Sequence, residues 1–268
     1  MPAGKDRYEV HALRYALRAS AKSQDFFRFD VYGQPDEPQT IDYFFFLVRN
    51  SARTVLVDCG FDRERAAAKG RFQQTHPLEL LARMGVSPQE VDHVIISHMH
   101  YDHVGNVQLF PKATFSMARE EYDFCSGPYG NRELMRALVD PEEVRIVQDL
   151  ARQERVHLID DSEQVFPGVV VTRLGGHTPG QVMVEVGLDS GQLVLATDAV
   201  HYYEELELDR PFRLFTDLPD MYRAYDILRE LDRRPDTTVI AGHDPRLRSM
   251  FRVVQPNCID LTVAAEGT

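Results

Sequence analysis

Short apolar runs bounded by turn formers recur along this chain: Ile41 to Val48, Thr54 to Val57, Val91 to Ser97, Val169 to Leu174, Leu193 to Thr197 and Thr238 to Ala241. Runs of this length, rich in Val, Ile and Phe, predict buried strands. A strand is also expected over Glu9 to Leu17, a short one near Ala113 to Met117, and four in all between Val156 and Leu195. The intervening segments carry helical spacing instead. Leu78, Leu81 and Ala82 predict a helix over Pro77 to Met84 that Gly85 ends. Further helices are expected over Arg119 to Cys125 and Pro219 to Leu231. The apolar positions Leu134, Ala137, Leu138, Val144, Val147 and Leu150 predict two more between Arg132 and Gln153, divided at Pro141 and covering a sheet. Phe26, Phe27 and Phe29, followed by Pro35 and Pro38, read as a loop or flap. The alternation is that of an α/β protein, expected as a single domain over residues 1–268.

Chemistry enters at the end of the third run. His98, His100, Asp102 and His103 fall within six residues, directly after Val94, Ile95 and Ile96. Alternate side chains on an extended segment point the same way, so His98 and His100 can converge, while Asp102 and His103 lie further round the following loop. Neutral imidazole and carboxylate are ligands for zinc and related divalent ions, and two neighbouring ions can share such a loop. Three later strand ends carry ligand-type residues too. His177 sits in the turn Gly175-Gly176-His177-Thr178-Pro179-Gly180, Asp198 closes the Leu193 run, and His243 follows Gly242 after the last one. Strand ends bearing such residues beside small ones are what one edge of a layered α/β sheet holding a site would present.

These motifs resemble the metallo-β-lactamase superfamily, and within it the N-acyl-homoserine lactonase-like hydrolases. The resemblance runs from about Ile41 to Asp244: Asp58-Cys59-Gly60 is similar to the first motif, Ser97 to Asn106 to the signature loop, and His177, Asp198 and His243 follow in family order. It implies a four-layer αββα sandwich with the metal site at one edge of the sheets. It further implies that His98, His100 and His177 hold one metal, Asp102, His103 and His243 a second, and that Asp198 bridges them, with Asp58 orienting a ligand. A bridging carboxylate offsets the repulsion of two dications roughly 3.5 to 4 Å apart. Two Zn2+ per chain are expected, and the donor set also suits Mn2+ or Fe2+. A Glu at position 100 would mark the di-iron oxygen-reducing branch and a Cys at 198 many true β-lactamases; neither is present.

The implied activity is hydrolysis of a lactone or related cyclic or acyl ester, N-acyl-homoserine lactone among them, by a hydroxide between the metals. Asp102 is the expected proton shuttle. The lactonase branch places a Tyr three positions after the bridging Asp, whereas this chain has His201, with Tyr202 and Tyr203 next. His201 and Tyr202 are therefore both candidates for the substrate contact. An aromatic pocket wall is expected from Phe27, Tyr101, Tyr122, Phe212 and Phe215. Two other readings stay open, a thioester hydrolase of the glyoxalase II kind and a mononuclear iron oxygenase of the persulfide dioxygenase kind. The short sequence after the Val239 strand argues against the helical domain that the first requires.

Composition narrows the class further. A chain of 268 residues with 43% hydrophobic content can bury one large core. A net charge of −12 opposes nonspecific grip on phosphate backbones, so no nucleic acid partner is expected. No apolar run approaches the roughly 20 residues needed to span a bilayer. Met1 to Arg7 leads into mixed polar sequence without a signal-peptide pattern. Cys59, Cys125 and Cys258 are odd in number and widely spaced, which suits a reducing cytoplasm and no disulfide framework. A homodimer is the expected assembly.

Overall fold

A computed structural model describes residues 7–265; Met1 to Asp6, on which the leader reading chiefly rests, lie outside the described residues. The strands are β1 (Glu9–Ala21), β2 (Pro38–Arg49), β3 (Thr54–Val57), β4 (His93–Ile95), β5 (Thr114–Ala118), β6 (Val156–Ile159) and β7 (Ser162–Phe166). They continue with β8 (Val169–Arg173), β9 (Val182–Leu188), β10 (Gly191–Thr197), β11 (Thr237–Ala241), β12 (Phe251–Gln255) and β13 (Cys258–Ala264). One sheet has the order β12-β13-β1-β2-β3-β4-β5-β6 and the other β11-β10-β9-β8-β7.

Residue alternation explains why the sheets stack with helices outside them. Phe44, Phe46, Val48, Val55, Val57 and Ile95 bury toward Val169, Val171, Val184, Leu193, Leu195 and Ile240 between the sheets. Their chain neighbours Phe45, Leu47, Leu56, Val94, Val194 and Ala196 bury on the opposite faces, in one cluster with the helical residues Leu80, Leu81, Val147, Met221 and Leu228. Strands apolar on both faces must be covered twice, which yields the αββα sandwich expected. Each fully buried Phe or Leu contributes about 1.5 to 3 kcal/mol to this stacking.

Local chemistry sets the helix bounds. Pro77–Arg83 begins with Pro at its first turn, the His76 side chain accepts from Leu78 N at 3.2 Å, and Gly85 follows at φ 71°. The insertion does form two helices, Glu133–Arg136 and Pro141–Arg152, the latter capped by Asp140. The Phe26 stretch holds two short helical turns, Lys22–Asp25 and Phe29–Tyr32, with Phe26 and Phe29 buried.

Three expectations are corrected. Five strands rather than four occupy Val156 to Thr197, because β7 is a polar edge strand paired only with β8 and carries little apolar signal. Helices Arg63–Ala68 and Tyr203–Leu208 form where none was expected. The residues after the Val239 strand build β12 and β13, which extend the larger sheet by pairing with β1. Among the described residues, no helix is long and apolar enough to cross a membrane.

Strands β3 and β4 run parallel, as do β10 and β11. Their C-terminal ends therefore lie at common edges; Asp58 and Asp198 come directly after those ends, and His243 and His98 within three residues of them.

Candidate metal centre

Seven side chains converge at that edge. His98, His100, His177 and Asp198 present one ligand atom each within 4.8 Å of one another, and Asp102, His103 and His243 form a second such group. Asp198 joins them. Its Oδ2 faces His177 Nε2 at 3.5 Å and His98 Nε2 at 3.8 Å, while its Oδ1 faces His243 Nε2 at 3.0 Å and His103 Nε2 at 3.2 Å. One carboxylate oxygen thus serves each group.

Four of these imidazoles are aimed by their other ring nitrogen. Asp58 Oδ2 lies 2.7 Å from His103 Nδ1, Leu214 O lies 2.8 Å from His177 Nδ1, Asp42 O lies 2.7 Å from His243 Nδ1, and Ser97 Oγ lies 3.0 Å from His98 Nδ1. Such contacts place the lone pair on Nε2, toward the centre. Asp58 also accepts from Ser97 N and Ser97 Oγ, both at 2.8 Å, so a single carboxylate anchors the start of the signature loop and one imidazole. It does so at φ 64°, in the left-handed region tolerated by Asp.

Glu121 was not foreseen. It is fully buried in the helix Arg119–Ser126 and accepts from Met99 N at 2.9 Å and Gly180 N at 3.0 Å, tying the His98/His100 loop to the His177 turn. A Cβ at Gly180 would stand 2.3 Å from Glu121 N, so glycine there permits the approach. No periodicity in the sequence distinguishes Glu121 from Glu120. Tyr15, whose hydroxyl donates to Asp102 O at 2.7 Å, was equally silent.

The residues fit a divalent metal centre. His98 Nε2 and His103 Nε2 are buried with no hydrogen-bond partner, an arrangement that is costly unless a cation accepts the lone pairs. Burial holds the pKa of His98 and His177 well below the usual imidazole value and that of His100 at about 4. Those three rings are thus neutral, the form that ligates.

A cavity of about 180 Å³ opens above the cluster and exposes His100, Asp102, His177, Asp198, His201 and His243. His201 Nε2 lies 3.0 Å from Asp198 Oδ2, its ring stacked on Phe212 at 3.6 Å, and its backbone N–H donates to Glu205 Oε1 at 2.6 Å. Tyr202 is not brought to this cavity; its hydroxyl donates to Asp25 Oδ2 at 2.9 Å in the interior. Of the expected aromatic wall, Tyr101 and Phe212 line the cavity. Phe27 and Phe215 pair edge to face with each other at 4.9 Å, and Tyr122 packs against the core.

The profile of the Metallo-beta-lactamase superfamily matches residues 43–243. An N-acyl homoserine lactonase of Bacillus sp is 24% identical over 225 residues, covering 78% of this chain and 84% of that one. The N-acyl homoserine lactonase AttM of Azorhizobium caulinodans is 29% identical over 174 residues, covering 63% of this chain and 64%, just under two thirds, of that relative. Among solved structures, a quorum-quenching N-acyl homoserine lactone lactonase superposes with a TM-score of 0.72 at 21% identity, covering 92% of this chain and 96% of that one. The dizinc quorum-quenching lactonase AidC, solved with a product, superposes with a TM-score of 0.72 at 19% identity, covering 89% and 88%. These structural likenesses establish the sandwich fold.

Proposed function

Because the chain belongs to the metallo-beta-lactamase superfamily, we propose that it is a dizinc hydrolase that opens a lactone or a related ester, with N-acyl homoserine lactones as the first class to test. The observation that carries this reading is Asp198, whose two oxygens each face a separate imidazole group at 3.0 to 3.8 Å. His98, His100 and His177 would hold one ion, Asp102, His103 and His243 the other, and Asp198 both. When bound, the pair lowers the pKa of a water and polarises a carbonyl oxygen.

The chain's own residues do the rest. Asp102 opens onto the cavity, which supports its assignment as the group that takes a proton from the attacking water and returns it to the departing alkoxide. His201 stands where the lactonase-like branch has a phenol, and we assign it the polar contact to the substrate carbonyl, since Tyr202 points into the interior. Stacking on Phe212 holds its ring, and the backbone N–H donated to Glu205 holds the chain that carries it. Ile41, Leu138, Phe212 and Leu214 supply apolar walls that exclude bulk water from the reacting bond.

The test is a zinc-loaded preparation offered lactones, linear esters, thioesters and amides, with proton release as the readout and metal counted by mass spectrometry. About two zinc per chain with ring opening of lactones is the expected result. Preference for thioesters, or one iron with oxygen uptake, overturns it.

A further inference from the structure

Three cations, Arg18, Lys69 and Arg71, line the cavity above the metal-type cluster, while among the described residues its only carboxylates are Asp102 and Asp198, both members of that cluster. In a chain of net charge −12 this local excess of positive charge runs against composition. Arg18 is compensated, since its Nη2 meets Asp25 Oδ1 at 3.0 Å. The other two are not. Lys69 Nζ donates to the carbonyl oxygens of Arg136 at 3.4 Å and Ala137 at 3.2 Å and sits 5.5 Å from the Tyr101 ring centroid. Arg71 donates to Lys69 O at 3.3 Å and bonds the Tyr101 side chain, and its Nε is buried without a partner. Among the described residues neither forms an ion pair. Gly70, at φ 69°, turns the chain between them.

Two uncompensated cations beside a narrow cavity form a receptor for an oxyanion, because guanidinium and ammonium groups held in place bind carboxylate more strongly than neutral acceptors. We propose that the substrate carries a carboxylate, remote from the scissile ester, that docks against Arg71 and Lys69. The remainder of that end of the wall adds no carboxylate: Tyr43 and Tyr101 complete it with phenol rings. This assignment rests on the hydrolase reading above and narrows its lactones to ones with an acidic side chain, a feature that unsubstituted N-acyl homoserine lactones lack.

A matched pair of γ-lactones tests it, one with a carboxymethyl side chain and one with the methyl ester of that side chain. The zinc-loaded chain is expected to favour the carboxylate by about tenfold or more in kcat/KM, mainly through KM. In Arg71→Met and in Lys69→Met the carboxylate-to-ester ratio is expected to fall toward unity, and Arg71→Lys to recover part of it. A wild-type ratio at or below one, or a ratio that neither Met variant moves, overturns the proposal. If the wild type opens neither lactone, the hydrolase reading fails separately, and calorimetric titration with glutarate decides the anion site. Binding that weakens about tenfold in Arg71→Met supports it, whereas absent binding, or binding equal in the variant, overturns it.

Discussion

The Asp58 carboxylate lies 2.7 Å from Nδ1 of His103 while also holding both the backbone and the hydroxyl of Ser97. One side chain at the end of β3 therefore fixes an imidazole carried by the loop after β4. Asp58→Asn keeps the shape but removes the charge that orients His103. Metal affinity of the Asp102/His103/His243 group is expected to drop roughly 10- to 100-fold, read by titration against a competing chelator. Unchanged affinity would reduce Asp58 to a loop anchor.

Asp198 reaches imidazoles of both groups through its two oxygens. Asp198→Ala is expected to lower the metal count from about two per chain to one or fewer and to remove nearly all lactone turnover. Two tightly held metals with near-normal kcat would refute the bridging assignment.

Glu121 links the His98/His100 loop to the His177 turn from a helix that contributes no residue to either group. Glu121→Ala leaves two buried N–H groups unpaired, at a cost of about 2 to 5 kcal/mol in unfolding free energy, measured by denaturant titration. Metal affinity of the His98/His100/His177 group should weaken with it, whereas Glu121→Gln, retaining one acceptor, should recover part of both losses.

Glu143 gives a pH dependence carried by a buried carboxyl outside both imidazole groups. Both of its carboxylate oxygens are buried without a hydrogen-bond partner, and burial, with the Asp140 charge next in weight, raises its pKa to about 8. A carboxyl with a folded pKa above its unfolded value binds more protons when folded, so its contribution is fully present below about pH 4.5 and is lost as pH rises through about 8. Glu143→Gln, permanently neutral, is expected to match wild-type stability near pH 5 and to exceed it by roughly 3 to 5 kcal/mol near pH 9. Parallel stability curves across that range would show that the carboxyl has a partner or a wet surrounding.

His201 stacks on Phe212 and also reaches Asp198. His201→Phe preserves the stack and deletes the polar atoms, so kcat for lactone opening is expected to fall about 10- to 100-fold with the metal count retained. Loss of a metal in this variant would make His201 part of the ligand set instead.

Much of this architecture is local information. The strands β2, β3, β4, β10 and β11 were legible because their runs are apolar on both faces, and Pro77, Gly85 and Pro141 marked helix ends through backbone constraints that need no tertiary partner. The ligand-type residues were legible for the same reason: each comes after a strong strand at a chain position that the superfamily resemblance orders. Strand β7 and the terminal pair β12 and β13 were not, since polar edge strands are specified by the neighbours they pair with.

The sequence by itself determined which side chains are available at the strand ends, because short-range pattern fixes where a strand stops and which residues succeed it. Only the tertiary structure decided their directions. It turned Tyr202 to Asp25 and His201 to the cavity, gave each Asp198 oxygen its own imidazole group, and recruited Glu121, Asp42 and Leu214 from distant segments as supports. It also brought Lys69 and Arg71 to the cavity wall. Orientation and second contacts depend on pairings between residues far apart in the chain, and those exist only once the two sheets have stacked.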